Sequence, residues 1–548
     1  MSLFTKVVSK IPKRNAFNLS FPNTLTAEFG YLYPVLCKEV LPADIFELNT
    51  ESLIRTAPML APVMSQIDVY FHYFFVPNRL LFDGWEDFIT SGVSGTSPNG
   101  TKDVPVSPCV SNVSLDNVKY NQPGSLGDYL NLPFTSNTLD SYDFNPNNDP
   151  IYLSVLPFAC YQKIFSDWFK DELLDSYEFE PLSSGIISDS DLIDSLWTLR
   201  KRAWKKDYFT SARPDTQLGA EVSIPGSGTI RPDGVFRLGH DASLSANSAL
   251  ILNAASEEDL GENFADDGYA ARYATDVVDG GARNQYYADG LKLEGNSILV
   301  NDLRRALKLQ EWQEKNMRGG NRYIENIFHH FGVRSSDARL QRSEFLGGVK
   351  KPIMISDIPQ TSATDSNVSA QGNLAGKGTS VSAGKKIKFK AEEHGFLMCI
   401  MSIMPTTAYL QGVPRMFMQR FDRFDYAWPE FSNIGEQEVF NYEIFLDGSN
   451  NANNAGVFGY QSRYAEYKYS PPECHGEFRN ALDYWHNARI FSSMPALNSD
   501  FIHPSVTGSK SMNRIFAVTD AEYGHFYVQL YHNIKALRRL SKYGIPSI

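Results

Sequence analysis

A chain of 548 residues with 42% hydrophobic and 21% charged side chains is that of a folded protein. It exceeds the ~250–300 residues at which one hydrophobic core stops growing, so it holds either two domains or one core with long insertions. The net charge of −12 argues against a nucleic-acid partner only until its distribution is read: residues 211–300 hold 14 acidic against 6 basic side chains, leaving −4 for the rest. Five cysteines (Cys37, Cys109, Cys160, Cys399 and Cys474) are odd in number, far apart and without a CxxC pair. That excludes a disulfide framework and a zinc knuckle and points to free thiols in a reducing cytoplasm.

Residues 1–14 read as a basic arm carrying Lys6, Lys10, Lys13 and Arg14, with no apolar stretch of the kind a signal peptide needs. From 16 to 48, short apolar runs broken by Pro22, Gly30, Pro34 and Pro42 predict two or three strands. Residues 67–76 alternate Ile67, Val69, Phe71, Tyr73 and Phe75 with Asp68, Tyr70, His72, Phe74 and Val76. This period of two predicts a strand, and the apolar bulk on both faces predicts that it lies between two layers. Pro77 ends its pairing. Residues 90–150 are rich in Ser, Asn, Gly and Pro and read as an ordered surface excursion.

Helical spacing follows. Phe158, Tyr161, Phe165, Trp168 and Phe169 form an aromatic stripe after Pro157. A second helix is predicted from Asp189 or Asp191 to Lys206, with Leu192, Leu196, Leu199 and Ala203 on its apolar face. Its acids precede its bases (Arg200, Lys201, Arg202, Lys205, Lys206), an order that complements the helix dipole, so this basic cluster has a structural reading beside a DNA-binding one. Residues 211–300 lack Trp and Cys and carry the acid excess, and read as an outer-surface insertion with short strands near Val235–Leu238 and Ala249–Leu252. A third helix is predicted over 303–317. Residues 347–384 read as a surface loop, and 385–391 with 396–404 as a hairpin. Strands are predicted at 458–469, 514–519 and 525–531, before a basic tail with Lys535, Arg538, Arg539 and Lys542. The most apolar stretch, 396–404, is nine residues long, too short to span a bilayer.

Chemistry finds no foothold. There is no HExxH or GxSxG, and the histidines show no metal-ligand spacing; His329-His330 are adjacent and so diverge. Gly372–Gly378 (GNLAGKG) departs from a phosphate loop in spacing and in its last residue, and reads as a flexible loop. No catalytic residue, metal site or cofactor is called for. About eight strands of ordinary length account for an antiparallel jelly roll, mainly β, with long inter-strand insertions that contain several helices. On this reading 1–210 and 301–548 make a discontinuous core and 211–300 is the insertion.

The wording of several blocks is more specific than their periodicity. Arg55–Met64 (RTAPMLAPVM) and Phe74–Leu81 (FFVPNRLL) resemble the major capsid protein of microviruses, above all of the gokushovirus branch. So do Asn15–Ser20, Gly30–Pro34, Glu39–Pro42, Asp207–Ala212, Arg318–Tyr323, Phe331–Val333, Asp337–Gly348, Arg463–Lys468 and Leu482–His486, in family order along nearly the whole chain. The resemblance implies a non-enzymatic virion protein that self-assembles, through pentamers, into a T=1 icosahedral shell around a circular single-stranded DNA genome. It also implies assembly in the host bacterial cytoplasm and a small basic DNA-binding protein, a pilot protein and an internal scaffolding protein as partners. The insertion would form a threefold protrusion that meets a host surface receptor. Lys6, Lys10, Lys13, Arg14, Lys535, Arg538, Arg539 and Lys542 are the candidate DNA-facing residues. The tail 537–548 (LRRLSKYGIPSI) is more basic than the family leads one to expect. The competing class is a β-sandwich lectin or glycan-active protein, equally rich in aromatics and turns, which would stay small and bind sugars.

Overall fold

The computed structural model describes residues 13–90, 106–111, 122–132, 152–219, 228–239, 250–252, 287–295, 300–319, 336–361, 364, 370–449, 451–507, 510–519 and 524–543. The chain divides into two compact units: Met1–Thr216 with Gly319–Ile548, and Gln217–Arg318.

In the first unit the amino-terminal strands are β1 (Asn15–Asn18), β2 (Phe21–Ala27), β3 (Tyr33–Val40), β4 (Ile45–Thr56) and β5 (Ile67–Pro77), followed by the short pair β6 (Cys109–Ser111) and β7 (Tyr152–Ser154). The second unit contains β8 (Gly228–Gly239), β9 (Leu250–Leu252) and β10 (Tyr287–Gly295), which pair in the order β10-β8-β9. The strands expected near 235–238 and 249–252 are partners, with Phe236 opposite Leu252. The helix expected over 303–317 runs from Val300 to Gly319. The first unit resumes with β11 (Glu344–Pro359), β12 (Leu374–Ser382), β13 (Ile387–Lys390), β14 (Gly395–Pro405), the paired β15 (Glu436–Phe440) and β16 (Val457–Ser462), and β17 (Phe526–Arg538).

One large antiparallel sheet dominates this unit, in the order β1-β17-β4-β12-β11-β5-β14-β3, with β2 also on β17 and β13 also on β4. Long β11 joins its two halves: Glu344–Ile353 pairs with β5, and Met354–Pro359 with β12. The sheet therefore curls at β11, and its two inner faces close on one core. Odd residues of β5 (Val69, Phe71, Phe75) and β14 (Leu397, Met401, Ile403) meet even residues of β4 and β17 (Phe46, Ile54, Phe526, Val528, Leu530) there.

The other face of β5 and β14 is also covered. Phe74, Val76, Met398 and Ile400 pack on the helices Leu156–Ile164 and Ser190–Trp197. The strand at 67–77 thus lies between two layers, as its sequence indicated. Each large side chain so buried contributes ~1.5–3 kcal/mol. The first residue of β14 sits 2.3 Å (at a notional Cβ) from the Val76 carbonyl oxygen, which only glycine tolerates, and Gly395 stands there.

Several sequence expectations need correction. The aromatic stripe begins as an α-helix, but widens into a π-turn over Phe165–Phe169. The second helix stops at Trp197, because Thr198 is extended and the chain beyond it is drawn into side-chain contacts described below. Residues 347–384 are largely strand, not loop. Glycine-rich 372–378 enters β12, where a Cβ on Gly376 would lie 2.5 Å from the Ala61 carbonyl oxygen. β13 and β14 are not a hairpin: β13 pairs with β4 while β14 lies between β5 and β3, so the intervening turn carries the chain from one half of the sheet to the other. Of the strand expected at 458–469 only 458–462 is strand, within β16, and 514–519 begins in a 3-10 turn over Met512–Ile515. Most of the 90–150 excursion and His329-His330 lie outside the described residues.

Candidate nucleic-acid interface

β17 alternates without a break from Phe526 to Ala536: even residues are buried and odd ones exposed. Its neighbours β2 and β4 share that register, so Tyr527 stands opposite Arg55, Tyr531 opposite Glu51, and Lys535 opposite Glu47. Tyr527 and Tyr531 are 48% and 45% exposed, large aromatic faces open to whatever lies over the sheet. On the far side of β4, Lys388 is also opposite Glu47. Lys386 and Lys388 both bridge to the Glu47 carboxylate, at 2.9 and 3.3 Å, and hold it below the usual carboxylate range. With Lys390 and Lys535 exposed nearby, one acid stands among four lysines. The alternation KIKFK at 386–390 signals this in the sequence: Ile387 and Phe389 are buried, while the three lysines are exposed.

The sequence-derived basic residues divide here. β1 pairs antiparallel with the end of β17, Asn15 opposite Arg538 and Asn18 opposite Lys535, so the amino-terminal arm and the carboxyl tail meet at one corner. Lys13 is exposed there, and Arg14 donates from Nε to the Ala43 carbonyl at 3.0 Å. Arg538 is committed elsewhere. It falls on the inward register, 2.9 Å from Oδ2 of buried Asp44, donates to the Glu39 carbonyl at 2.6 Å and lies over the Phe46 ring. Arg539 is half-buried and Lys542 is exposed beside Tyr543. Lys6 and Lys10 lie outside the described residues.

Positive side chains and open aromatic rings on one sheet face suit an unpaired polyanion: lysines neutralise phosphate and rings stack on bases. Among the described residues no group of His, Cys, Asp and Glu is placed to hold a metal ion. The profile of the capsid protein (F protein) family matches residues 5–548.

The chain belongs to this family of phage capsid proteins.

It is 31% identical to capsid protein VP1 of Chlamydia phage 1, over 100% of this chain and 97% of that protein. It is also 31% identical to capsid protein VP1 of Bdellovibrio phage phiMH2K, over 99% and 97% of the two chains. With capsid protein VP1 of Spiroplasma virus 4 the identity is 29%, over 86% and 84%. The chain is thus a structural, non-enzymatic virion protein, and capsid membership entails assembly of many copies into a shell.

In this capsid protein the second basic cluster, 200–206, is largely structural. Arg200 donates from Nε to Gln162 Oε1 at 2.8 Å and lies 3.8 Å over Tyr177, while its backbone N–H donates to the Tyr161 hydroxyl at 2.9 Å. Arg202 donates to Ser402 Oγ at 2.8 Å and lies 4.0 Å over Tyr70. Lys206 pairs with Asp171. Arg202 thus ties this segment to β5 and β14, whereas the side chains of Arg200 and Lys206 bind within residues 162–210, and burial lowers the pKa of both Arg200 and Arg202.

The buried titratable groups also serve the fold. His72 on β5 and His532 on β17 are each pushed down to about 4 by burial, with Arg202 adding to the effect at His72. His532 Nδ1 shares a 2.9 Å hydrogen bond with Thr50 Oγ1. All five cysteines are free thiols, and burial pushes Cys37 up to about 12, so it is an unreactive thiol and not a nucleophile.

Proposed function

We propose that this chain is the major capsid protein of a gokushovirus-like microvirus, closing through pentamers into a T=1 icosahedral shell around a circular single-stranded DNA genome. Its core is an eight-stranded jelly roll. The strand order supports that reading: β2, β17, β4 and β12 form one row, and the first part of β11, β5, β14 and β3 the other. The chain alternates between the rows at β2, β3, β4 and β5, then again at β12, β14 and β17, which is the winding of a jelly roll.

The face of β4, β13 and β17 is turned to the genome, with Lys13, Arg14, Lys535, Arg539 and Lys542 beside Lys386, Lys388 and Lys390. Lys6 and Lys10 extend that surface. The acidic insertion at 211–300 is the threefold protrusion and meets a host surface receptor. Assembly proceeds in the bacterial cytoplasm with a small basic DNA-binding protein, a pilot protein and an internal scaffolding protein. The net acidity of the chain fits a need for such basic help.

The observation that carries the reading is the family match over 5–548 together with two-row strand order. Electron microscopy and nuclease protection on particles from producing cells test it. Uniform closed particles holding protected, circular single-stranded DNA are expected; a 61.6 kDa monomer under every ionic condition would end it.

A further inference from the structure

Residues 415–431 (RMFMQRFDRFDYAWPEF) carry the densest run of exposed apolar side chains among the described residues. Met416, Phe417, Phe424, Tyr426 and Trp428 are all exposed, and Phe421 is 85% exposed. Such a run is unusual on a surface that has no partner.

The segment is nevertheless held in one shape. Asp425 Oδ2 accepts from the backbone N–H groups of Phe421 and Asp422, both at 2.8 Å, and these hold the Asp425 carboxyl below its usual range. Trp428 Nε1 donates to the Arg423 carbonyl at 2.8 Å. From below, Arg420 pairs with Glu466 at 2.9 Å, and Arg415 lies 3.4 Å from Glu443, a carboxylate that also accepts from the Tyr208 hydroxyl. Buried Glu443 and half-buried Glu466 thus fasten the arginines while the aromatic side chains between and after them point outward. Little conformational entropy remains to be lost on docking, and such pre-ordered aromatics are what dominate binding energy at interfaces.

The charge of the segment identifies its partner. Arg415, Arg420 and Arg423 balance Asp422, Asp425 and Glu430, so this surface is locally neutral on a chain of net charge −12. A polyanion would call for excess positive charge, and a basic protein for excess negative charge. A neutral apolar surface suits a partner that carries the same overall charge and would otherwise repel it, namely another copy of this chain. Beside it a groove of about 710 Å³, lined by Phe417, Tyr467, Tyr469, Pro471 and Arg479, has room for side chains from that copy.

We propose that 415–431 is a subunit–subunit contact of the shell, buried against a neighbouring copy. The inference rests on the capsid reading above. The test compares the full chain with Phe421→Ser and with Phe417→Ser/Phe421→Ser, each co-produced with whatever scaffold the parent chain requires. The parent chain is expected to form closed particles, and the double variant to accumulate as soluble, folded subassemblies with at least tenfold fewer particles and an unchanged unfolding midpoint. Oxidative labelling of Met416 and Met418 supplies a readout that needs no variant: both should be at least fivefold more protected in particles than in dissociated subunits. Parent-level particle yield from the double variant, or equal labelling in the two states, overturns the proposal while leaving the capsid reading intact. Failure of the parent chain to form particles overturns the capsid reading itself, and this inference with it.

Discussion

The two halves of the large sheet are built from the same kind of strand and covered differently. β14 is buried at every position and β5 at nearly every one, because the closed core lies on one side and the helical layer on the other. β17 buries only alternate residues, and its odd face, with that of β4, shows Tyr, Lys, Arg and Glu. The doubly covered half gives both of its faces to buried packing and the singly covered half gives one. The singly covered half leaves one face open, so substitutions on that open face should change stability little.

Acid should loosen both halves at once, with the largest effect. His72 and His532, one in each half, have folded-state values of about 4 against ~6.5 unfolded, so their contribution is complete above ~6.5 and is lost as pH falls toward 4. The loss is about 3 kcal/mol for each by pH 4. Denaturation of dissociated subunits at pH 7 and pH 4 measures it, and His72→Gln/His532→Gln should flatten the difference. Phe74→Ala, cut from beneath the helical layer, is expected to cost about 4 kcal/mol in the same assay. Tyr527→Ala, on the open face, should change stability by less than about 1 kcal/mol.

Arg538→Ala falls between these, at about 3 kcal/mol, since it leaves the Asp44 carboxylate buried without its cation. That value would mark Arg538 as part of the fold, despite its place in a basic tail. The smallest stability effect, within about 0.5 kcal/mol, is expected for Lys535→Ala/Lys388→Ala. The same pair should weaken binding to single-stranded oligonucleotide and reduce its logarithmic salt slope by about 1 or slightly more, at ~0.7 for each lost phosphate contact. Unchanged slope with unchanged affinity would remove these lysines from the interface.

The sequence shows this contrast only where burial is written as alternation. β5 and β17 are legible because their apolar residues keep a period of two. In β5 the apolar bulk on both faces already implies two layers. β12 is not legible: LAGKGTSVS has little apolar signal, and its path is set by the close approach of Gly376 to Ala61, a contact between distant parts of the chain. The β13–β14 turn looks like a hairpin because sequence proximity does not reveal that each strand pairs in a different half. The helix at 190–197 ends early because Arg200 and Arg202 are drawn to Tyr177 and Tyr70, contacts invisible to a dipole argument.

The basic surface was half legible for the same reason. Charge clusters at the two ends of the chain locate Lys13, Arg14 and Lys535, but not that β1 and β17 bring those ends together. They also give no sign that Arg538 turns inward, or that Lys386, Lys388 and Lys390 join the same face through β4.

Ultraviolet cross-linking of the packaged genome to the shell in intact particles, followed by peptide mapping, tests the central claim most directly. Cross-links are expected on the β17 peptide containing Tyr527 and Tyr531 and on the peptide spanning Lys386–Lys390. Cross-links confined to 211–300, or to the helical layer over β5 and β14, would contradict it.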